Sequence, residues 1–407
     1  MKRLLILTDA ITAPLYIPRM RYLVTNLAKR GWACTVISER VPNIDYIFTD
    51  CKHLRFAFYT GEHPLRDKIV WFLDKLFPLK ERAFERFVRQ HVDDTSQFDY
   101  ILCSAFHTHP LPTAARLARD WHLPLVIDLR DIAEQWGEAP YMEHPINTPF
   151  RKLNRWLTNQ YTAKTIRQRN KALKTAKTIT TVSPWHKDFL SKLHPDVQLI
   201  YNGFDTIDFA PKDIPSNTFD IVYTGKIYDF NLRDPHLLFE AVGNMRKNDS
   251  LPNNLRLCFY CEPEIYPALQ ALAQEHHISD LLQTTPYVPK EQIPALLHRS
   301  SIVLQLTNKA CPGGSHGIMT TKFFEALGVE KPVLCVRSDE ECLAAVIAQT
   351  NAGIAATNVE EVTSFIQDKY REWKTNGFTH QHVTNKEQFS RGYQASQFEQ
   401  ILIRLHS

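Results

Sequence analysis

Nowhere does this chain approach the roughly 18 consecutive apolar residues that a membrane span requires. Lys2 and Arg3 precede an apolar run, but Asp9 ends it after about five residues, short of a secretory leader. A cytoplasmic protein is the expectation. No G-x-G-x-x-G occurs, which removes the nicotinamide and flavin fingerprint. The eight cysteines are scattered, and the single C-x-x-C, Cys258 with Cys261, has no second pair at metal-binding spacing. It lies in the apolar string LRLCFYC, where thiols act as small buried hydrophobes. A net charge of +4 is too small to argue for a nucleic-acid partner. One local absence is sharper. Between His144 and Lys187 there is no acidic residue, while about ten lysines and arginines stand there with Trp156 and Tyr161.

What is present is enough for two cores, since 407 residues exceed what one core usually serves. The opening reads as strand–helix–strand. Leu4–Leu7 is a short buried strand, Tyr16 to Ala28 repeats apolar residues at helical spacing, Gly31 stops the helix, and Ala33–Ser38 resumes as a strand. Strands recur at Tyr100–Cys103, Leu125–Asp128 and Thr178–Val182, with a long helix over about 151–176. Residues 64–95 are helical in pattern and rich in aromatics, which suits either packing or a wall on the acceptor side. The polar segment Asp205–Thr218 reads as a linker. A second alternating series follows, with strands at Phe219–Tyr223, 255–261, 302–306 and 332–336. Strand–helix alternation in both halves predicts two doubly wound α/β domains. The boundaries expected are 1–204, 205–385 and a terminal helical piece, 386–407, that closes the second domain or folds back on the first.

Chemistry is expected beyond the carboxyl ends of such strands. The strand Phe219–Tyr223 runs into Thr224-Gly225-Lys226, where glycine permits close approach and a cation can neutralise phosphate. Arg233 could complete a two-pronged clamp, although a solvated loop is the plainer reading. In CPGGSHGIMTTKFFEAL, small residues precede a helix opening near Thr320 or Thr321, a ready anion site. Lys322 adds charge in the first turn, and Glu325 could accept two hydrogen bonds from a ribose diol; a capping box with exposed Lys322 and Glu325 is the alternative. In the first half, Asp128-Leu129-Arg130-Asp131 ends an apolar strand; Asp128 or Asp131 could meet substrate, or an Arg130–Asp pair could brace the loop. His107 and His109 follow another strand, and His109 either lines the site or is structural. Arg19 and Arg21 stand on the opening helix and could also face it.

Together, TGK with Arg233, the segment GIMTTKFFEALGVEKPVL, Val182-Ser183 with Asn202-Gly203-Phe204, and PYVPKEQIPALLHRSSIVL resemble glycosyltransferase family 4, in the family's order over nearly the whole chain. That resemblance implies the GT-B fold, two Rossmann-like doubly wound domains facing a central cleft. It implies that Gly225, Lys226 and Arg233 hold the donor diphosphate and Glu325 the ribose. The loop with Gly314, His316, Gly317, Ile318, Thr320, Thr321 and Lys322 would wrap the donor, with Tyr287–Pro289 near the base. Similar bacterial members carry D-x-R-D where Asp128–Asp131 stand, followed by a tryptophan, here Trp136. The family commonly has two glutamates seven residues apart, and the earlier position here is Gly317, which puts the donor sugar's identity in question.

The reaction implied is retaining and metal-independent, with no cofactor beyond a nucleotide-diphosphate sugar as substrate. Asp128, Asp131 and His109 are the candidate catalytic residues. The acceptor expected is a glycan or a polyprenyl-diphosphate-linked glycan, in cell-surface polysaccharide synthesis. The basic segment 151–187 is either a contact for the anionic inner face of the membrane or a solvated helix surface. Two other classes stay open: a GT-B-shaped sugar-nucleotide epimerase, using Asp128, Asp131, Glu134 and His109, and a catalytically weak binding subunit.

Overall fold

The structure, a computed structural model, describes residues 2–9, 19–40, 48–59, 64–92, 94–106, 108–136, 148–307, 319–336 and 341–405. The chain divides into two units, Met1–Tyr201 with Arg391–Ser407, and Asn202–Ser390. Among the described residues, no helix is long and apolar enough to cross a membrane.

The first unit is built on strands β1 (Arg3–Thr8), β2 (Ala33–Glu39), β3 (Lys52–Phe56), β4 (Tyr100–Ala105), β5 (Leu125–Leu129), β6 (Thr178–Thr181) and β7 (Val197–Leu199). They pair in the order β3-β2-β1-β4-β5-β6-β7, all parallel. Parallel sheets need cover on both faces, so their inner strands read as unbroken apolar runs. β4 and β5 are buried at every position. The cover comes from α1 (Arg19–Lys29), α2 (Pro64–Leu76), α3 (Leu79–His91), α4 (Leu111–Trp121), α5 (Arg151–Leu173) and α6 (Pro184–Ser191). On α1, Met20, Leu23, Val24 and Leu27 make the buried stripe, and Gly31 turns the chain at a φ of +82°.

The second unit carries β8 (Phe219–Thr224), α7 (His236–Lys247), β9 (Leu255–Tyr260), α8 (Tyr266–Glu275), β10 (Leu282–Thr285), α9 (Ile293–Arg299) and β11 (Ile302–Leu306). It continues through α10 (Thr321–Val329), β12 (Val333–Val336), α11 (Glu341–Thr350), β13 (Gly353–Ala356) and α12 (Val359–Asn376). Its strand order, β10-β9-β8-β11-β12-β13, is again wholly parallel. At Gly353 the strands come so close that a Cβ would lie 1.9 Å from the Val333 carbonyl oxygen.

A last helix, α13 (Arg391–Arg404), belongs to the first unit. Its Phe398 and Leu402 share a core with Met20, Leu23 and Leu27 of α1. Glu399 accepts from the Trp32 indole at 2.8 Å and from Arg30 at 2.9 Å. In both sheets the order reverses beside the first strand, between β1 and β4 and between β8 and β11. There the connections leave on opposite faces and open a crevice at the carboxyl end.

Candidate functional site

In the second unit, β8 ends on Thr224 and Gly225 follows at a φ of +136°. This conformation favours glycine, and so does the space. A Cβ here would lie 1.5 Å from Lys322 Nζ, so the lysine reaches across the backbone because no side chain stands in its way. Lys322 sits in the first turn of α10, where Thr320 has a buried hydroxyl with no partner among the described residues. Its ammonium lies 5.4 Å from the Tyr223 ring centroid. Burial, then the charge of Arg233, lowers its pKa to about 8, against the opposing pull of Glu325 and Glu262. Arg233 donates to the Leu306 carbonyl at the end of β11, 2.9 Å, while its buried Nε has no partner among the described residues. Gly225, Lys322, Arg233 and Glu325 thus converge where the sheet order reverses.

One member was not seen in the sequence. Glu262, just past β9, accepts from the Ile227 amide at 2.9 Å and from the Tyr287 hydroxyl at 2.8 Å. A lone acid after a strand gives no periodic signal, and only the fold shows that it faces Lys322. Lys226 is placed differently from its partners in the expected clamp. It is exposed, with its ammonium 4.4 Å from the Tyr228 ring centroid. The cation felt beside Arg233 is Lys322. Thr321 opens α10 and is half-buried. Gly314, His316, Gly317 and Ile318 lie outside the described residues, as does His107.

In the first unit, the carboxyl end of β5 holds a buried ion pair. Asp128 is fully buried; Oδ1 accepts from Arg19 Nη2 at 3.0 Å and Thr180 Oγ1 at 2.7 Å. Its Oδ2 accepts from Arg19 Nε at 3.2 Å and Ser104 Oγ at 3.1 Å. Arg19 donates further to the carbonyls of Ile200, 3.0 Å, and Tyr201, 2.8 Å, and lies over the Phe398 ring. Asp128 therefore faces inward, with both oxygens occupied. Arg21, by contrast, is exposed.

Among the described residues Arg130 makes no hydrogen-bonded pair with an aspartate. Arg130 is buried, and its three nitrogens have no hydrogen-bond partner among the described residues. Asp131 is half-buried and accepts from Gln135 at 2.9 Å; Gln135 in turn meets His186 Nε2 at 2.9 Å. Burial lowers the His186 pKa to about 4, so its ring is neutral. Glu134 forms a fork with Arg169, both contacts 2.7 Å. His109 Nδ1 meets Glu81 at 2.6 Å, and Glu81 also takes the Thr113 hydroxyl at 2.6 Å. Burial alone would raise the Glu81 carboxyl; His109, Thr113 and Arg116 hold it below its ordinary value. His109 thus ties α3 to the start of α4. The Cys258 and Cys261 thiols are buried and pushed up to about 12 by desolvation, which leaves them inert as nucleophiles.

Two wholly parallel, doubly wound units are the architecture of the GT-B fold, which solved structures share. Residues 19–207 match the model of Glycosyltransferase Family 4. No curated protein matches the chain in sequence. Among solved structures, sucrose-phosphate synthase from Thermosynechococcus elongatus is similar at a TM-score of 0.65 and 12% identity, covering 100% of this chain and 99% of that one. The Anabaena protein HepE in complex with UDP matches at 0.62 and 14%, covering 99% and 100%. A putative UDP-N-acetylglucosamine 2-epimerase from Listeria monocytogenes matches at 0.52 and 16%, covering 98% and 95%. At these identities the likeness is one of fold.

Asp128→Asn should strand the Arg19 charge in the core and cost about 3–5 kcal/mol, read as a lower urea midpoint. A substrate-facing acid would leave that midpoint unchanged. For Lys322, the folded pKa of about 8 lies below the ordinary 10.5. The unfolded chain therefore binds more protons across that window, and stability should rise as pH goes from about 8 to about 10.5, by on the order of 3 kcal/mol. Denaturant titrations of Lys322→Met over this range should be flat where the wild type climbs.

Proposed function

We propose that this protein transfers a sugar from a nucleotide-diphosphate donor to a glycan or lipid-linked acceptor, holding the donor at the carboxyl edge of the second sheet. The observation that carries this reading is the Lys322 ammonium lodged against Gly225 and felt beside Arg233, whose Nε has no partner among the described residues. Two cations at one edge repel each other, and a diphosphate bound between them relieves that repulsion. It also gains most as the leaving group develops charge. Glu325, one helical turn from Lys322, suits the ribose diol. That HepE was solved with UDP supports uridine nucleotides as the first donors to try.

Transfer is read as retaining and independent of a metal. Asp128 and Glu134 are committed to arginines and His109 to Glu81, whereas Asp131 carries only the Gln135 amide; the family resemblance favours the donor's own phosphate oxygen as the proton acceptor. The acceptor hydroxyl forms the new bond to the anomeric carbon as the bond to the diphosphate breaks, and the proton passes to the departing oxygen. The commitments of Asp128, Glu134 and His109 weigh against an epimerase, which needs more than one free acid or base around one sugar. Turnover that requires an added acceptor separates the two, and donor turnover of any kind excludes a mere binding subunit.

The acceptor is read as lipid-linked because the first unit exposes a basic, apolar face. On α2 and just beyond it, Leu65, Ile69, Trp71, Leu76 and Phe77 are exposed, and at the start of α5 so are Phe150 and Trp156. The two helices are neighbours, since Lys164 of α5 donates to the Leu76 carbonyl at 3.3 Å. Apolar rings beside lysines suit the headgroup boundary of an anionic membrane, here the inner face.

Calorimetric titration of UDP, GDP and ADP with EDTA present should give binding to one of them, weakened about tenfold or more in Lys322→Met and Glu325→Ala. Above pH about 8 that binding should take up protons, and Lys322→Met should abolish the uptake. Absence of binding to all three nucleotides would overturn the donor site. In flotation assays the wild type should rise with vesicles containing phosphatidylglycerol and not with phosphatidylcholine alone. Trp71→Ser with Ile69→Ser should stay at the bottom in both.

A further inference from the structure

Arg130 poses a problem that the donor site does not solve. It is buried at the carboxyl end of β5, and Nε, Nη1 and Nη2 are all without hydrogen-bond partners among the described residues. Guanidinium groups stay charged in proteins, so the group cannot shed its donors by losing a proton. Buried donors of this kind are rare and call for an acceptor from outside the chain, a solvent molecule or a ligand.

Its surroundings say which ligand. Asp9, Asp128 and Asp131 are its attractive electrostatic neighbours, and Arg19 is the repulsive one. Asp9 follows β1, and its Oδ2 accepts from the Phe106 amide, which follows β4, at 2.7 Å. That contact spans the point where the first sheet's strand order reverses, the crevice where open α/β sheets bind ligands. Three carboxylates against two guanidiniums leave the cluster with charge enough on the acidic side. What Arg130 lacks is therefore hydrogen-bond acceptors and not a counter-charge. An oxyanion would supply the acceptors but would add charge to a cluster already acidic. A neutral hydroxyl supplies them without that penalty, and its own proton can be given to a nearby carboxylate.

We propose that Arg130, beside Asp9 at the order reversal of the first sheet, binds the hydroxyl oxygens of a neutral sugar. Given the transferase reading above, on which only this name rests, that sugar belongs to the acceptor. Arg130 is then a substrate-binding group, while Asp128 and Arg19 hold the strand end that presents it.

The test uses the full chain and saturation-transfer NMR with methyl glucoside, methyl galactoside, methyl mannoside and methyl N-acetylglucosaminide as neutral probes. Glucuronate and inorganic phosphate are the anionic ones. At least one neutral glycoside should bind the wild type and bind about tenfold or more weakly to Arg130→Met and Arg130→Lys. The lysine variant keeps the charge and loses the fork, so parallel loss in both separates hydrogen bonding from charge. Thermal melts and UDP titrations of the same variants report folding and the donor site independently. UDP binding with no glycoside binding overturns this proposal alone, and glycoside binding without UDP binding overturns the donor reading alone. Phosphate or glucuronate binding that depends on Arg130, with no neutral glycoside bound, overturns it in favour of an oxyanion. Equal glycoside binding by wild type and both variants also overturns it.

Discussion

Every strand in both units pairs in parallel, and much follows from that constraint. A parallel sheet cannot leave a face to water, so helices close both faces and only strand ends remain for chemistry. Of the two ends, the carboxyl one receives the loops that enter helices, and the order reversal parts those loops. In the second unit this places Gly225, Arg233 and Lys322 together though nearly a hundred residues separate the first from the last. In the first it places Asp9, Phe106, Arg19 and Arg130 together. The ion pair of Arg19 with Asp128 is the first unit's own version of this economy. One guanidinium serves the strand end, the two carbonyls that close the unit and the ring of Phe398.

How much of this could be read from the residues divides along the same line. The inner strands were legible because burial on both faces demands continuous apolar runs. β1, β2, β4, β5, β6, β8, β9, β11 and β12 all fall where such runs occur. The four that escaped notice, β3, β7, β10 and β13, are the edges of the two sheets. Each has only one neighbour and is partly exposed, as the half-buried alternation of β10 illustrates. In β3 and β10 polar residues break the apolar signal, as edges that deter pairing with other chains do, and in β7 and β13 the runs of three and four residues are too short to give one.

Residue types at a strand end and a helix start, joined by the family resemblance, pointed to Gly225, Arg233, Lys322 and Glu325 in one neighbourhood. They could not say that Lys322, rather than Lys226, shares Arg233's field, because that depends on a glycine's missing side chain and a helix more than ninety residues on. Nor could they separate the three charged groups of Asp128–Asp131. Asp128, within the strand, is taken up by Arg19, Ser104 and Thr180, while Arg130, just past the strand end, is left with donors unmet. A tally of charges sees one motif, and the geometry sees two tasks.

The first unit is discontinuous in sequence, since α13 completes a core begun by α1. All 189 residues of Asn202–Ser390 intervene. On a ribosome adding about 5–20 residues each second, that gap corresponds to roughly ten to forty seconds. Throughout it, Met20, Leu23 and Leu27 stand without Phe398 and Leu402 against them. The half that is synthesised first is therefore the half that is finished last, and during that interval its apolar stripe is open to any chaperone that recognises one.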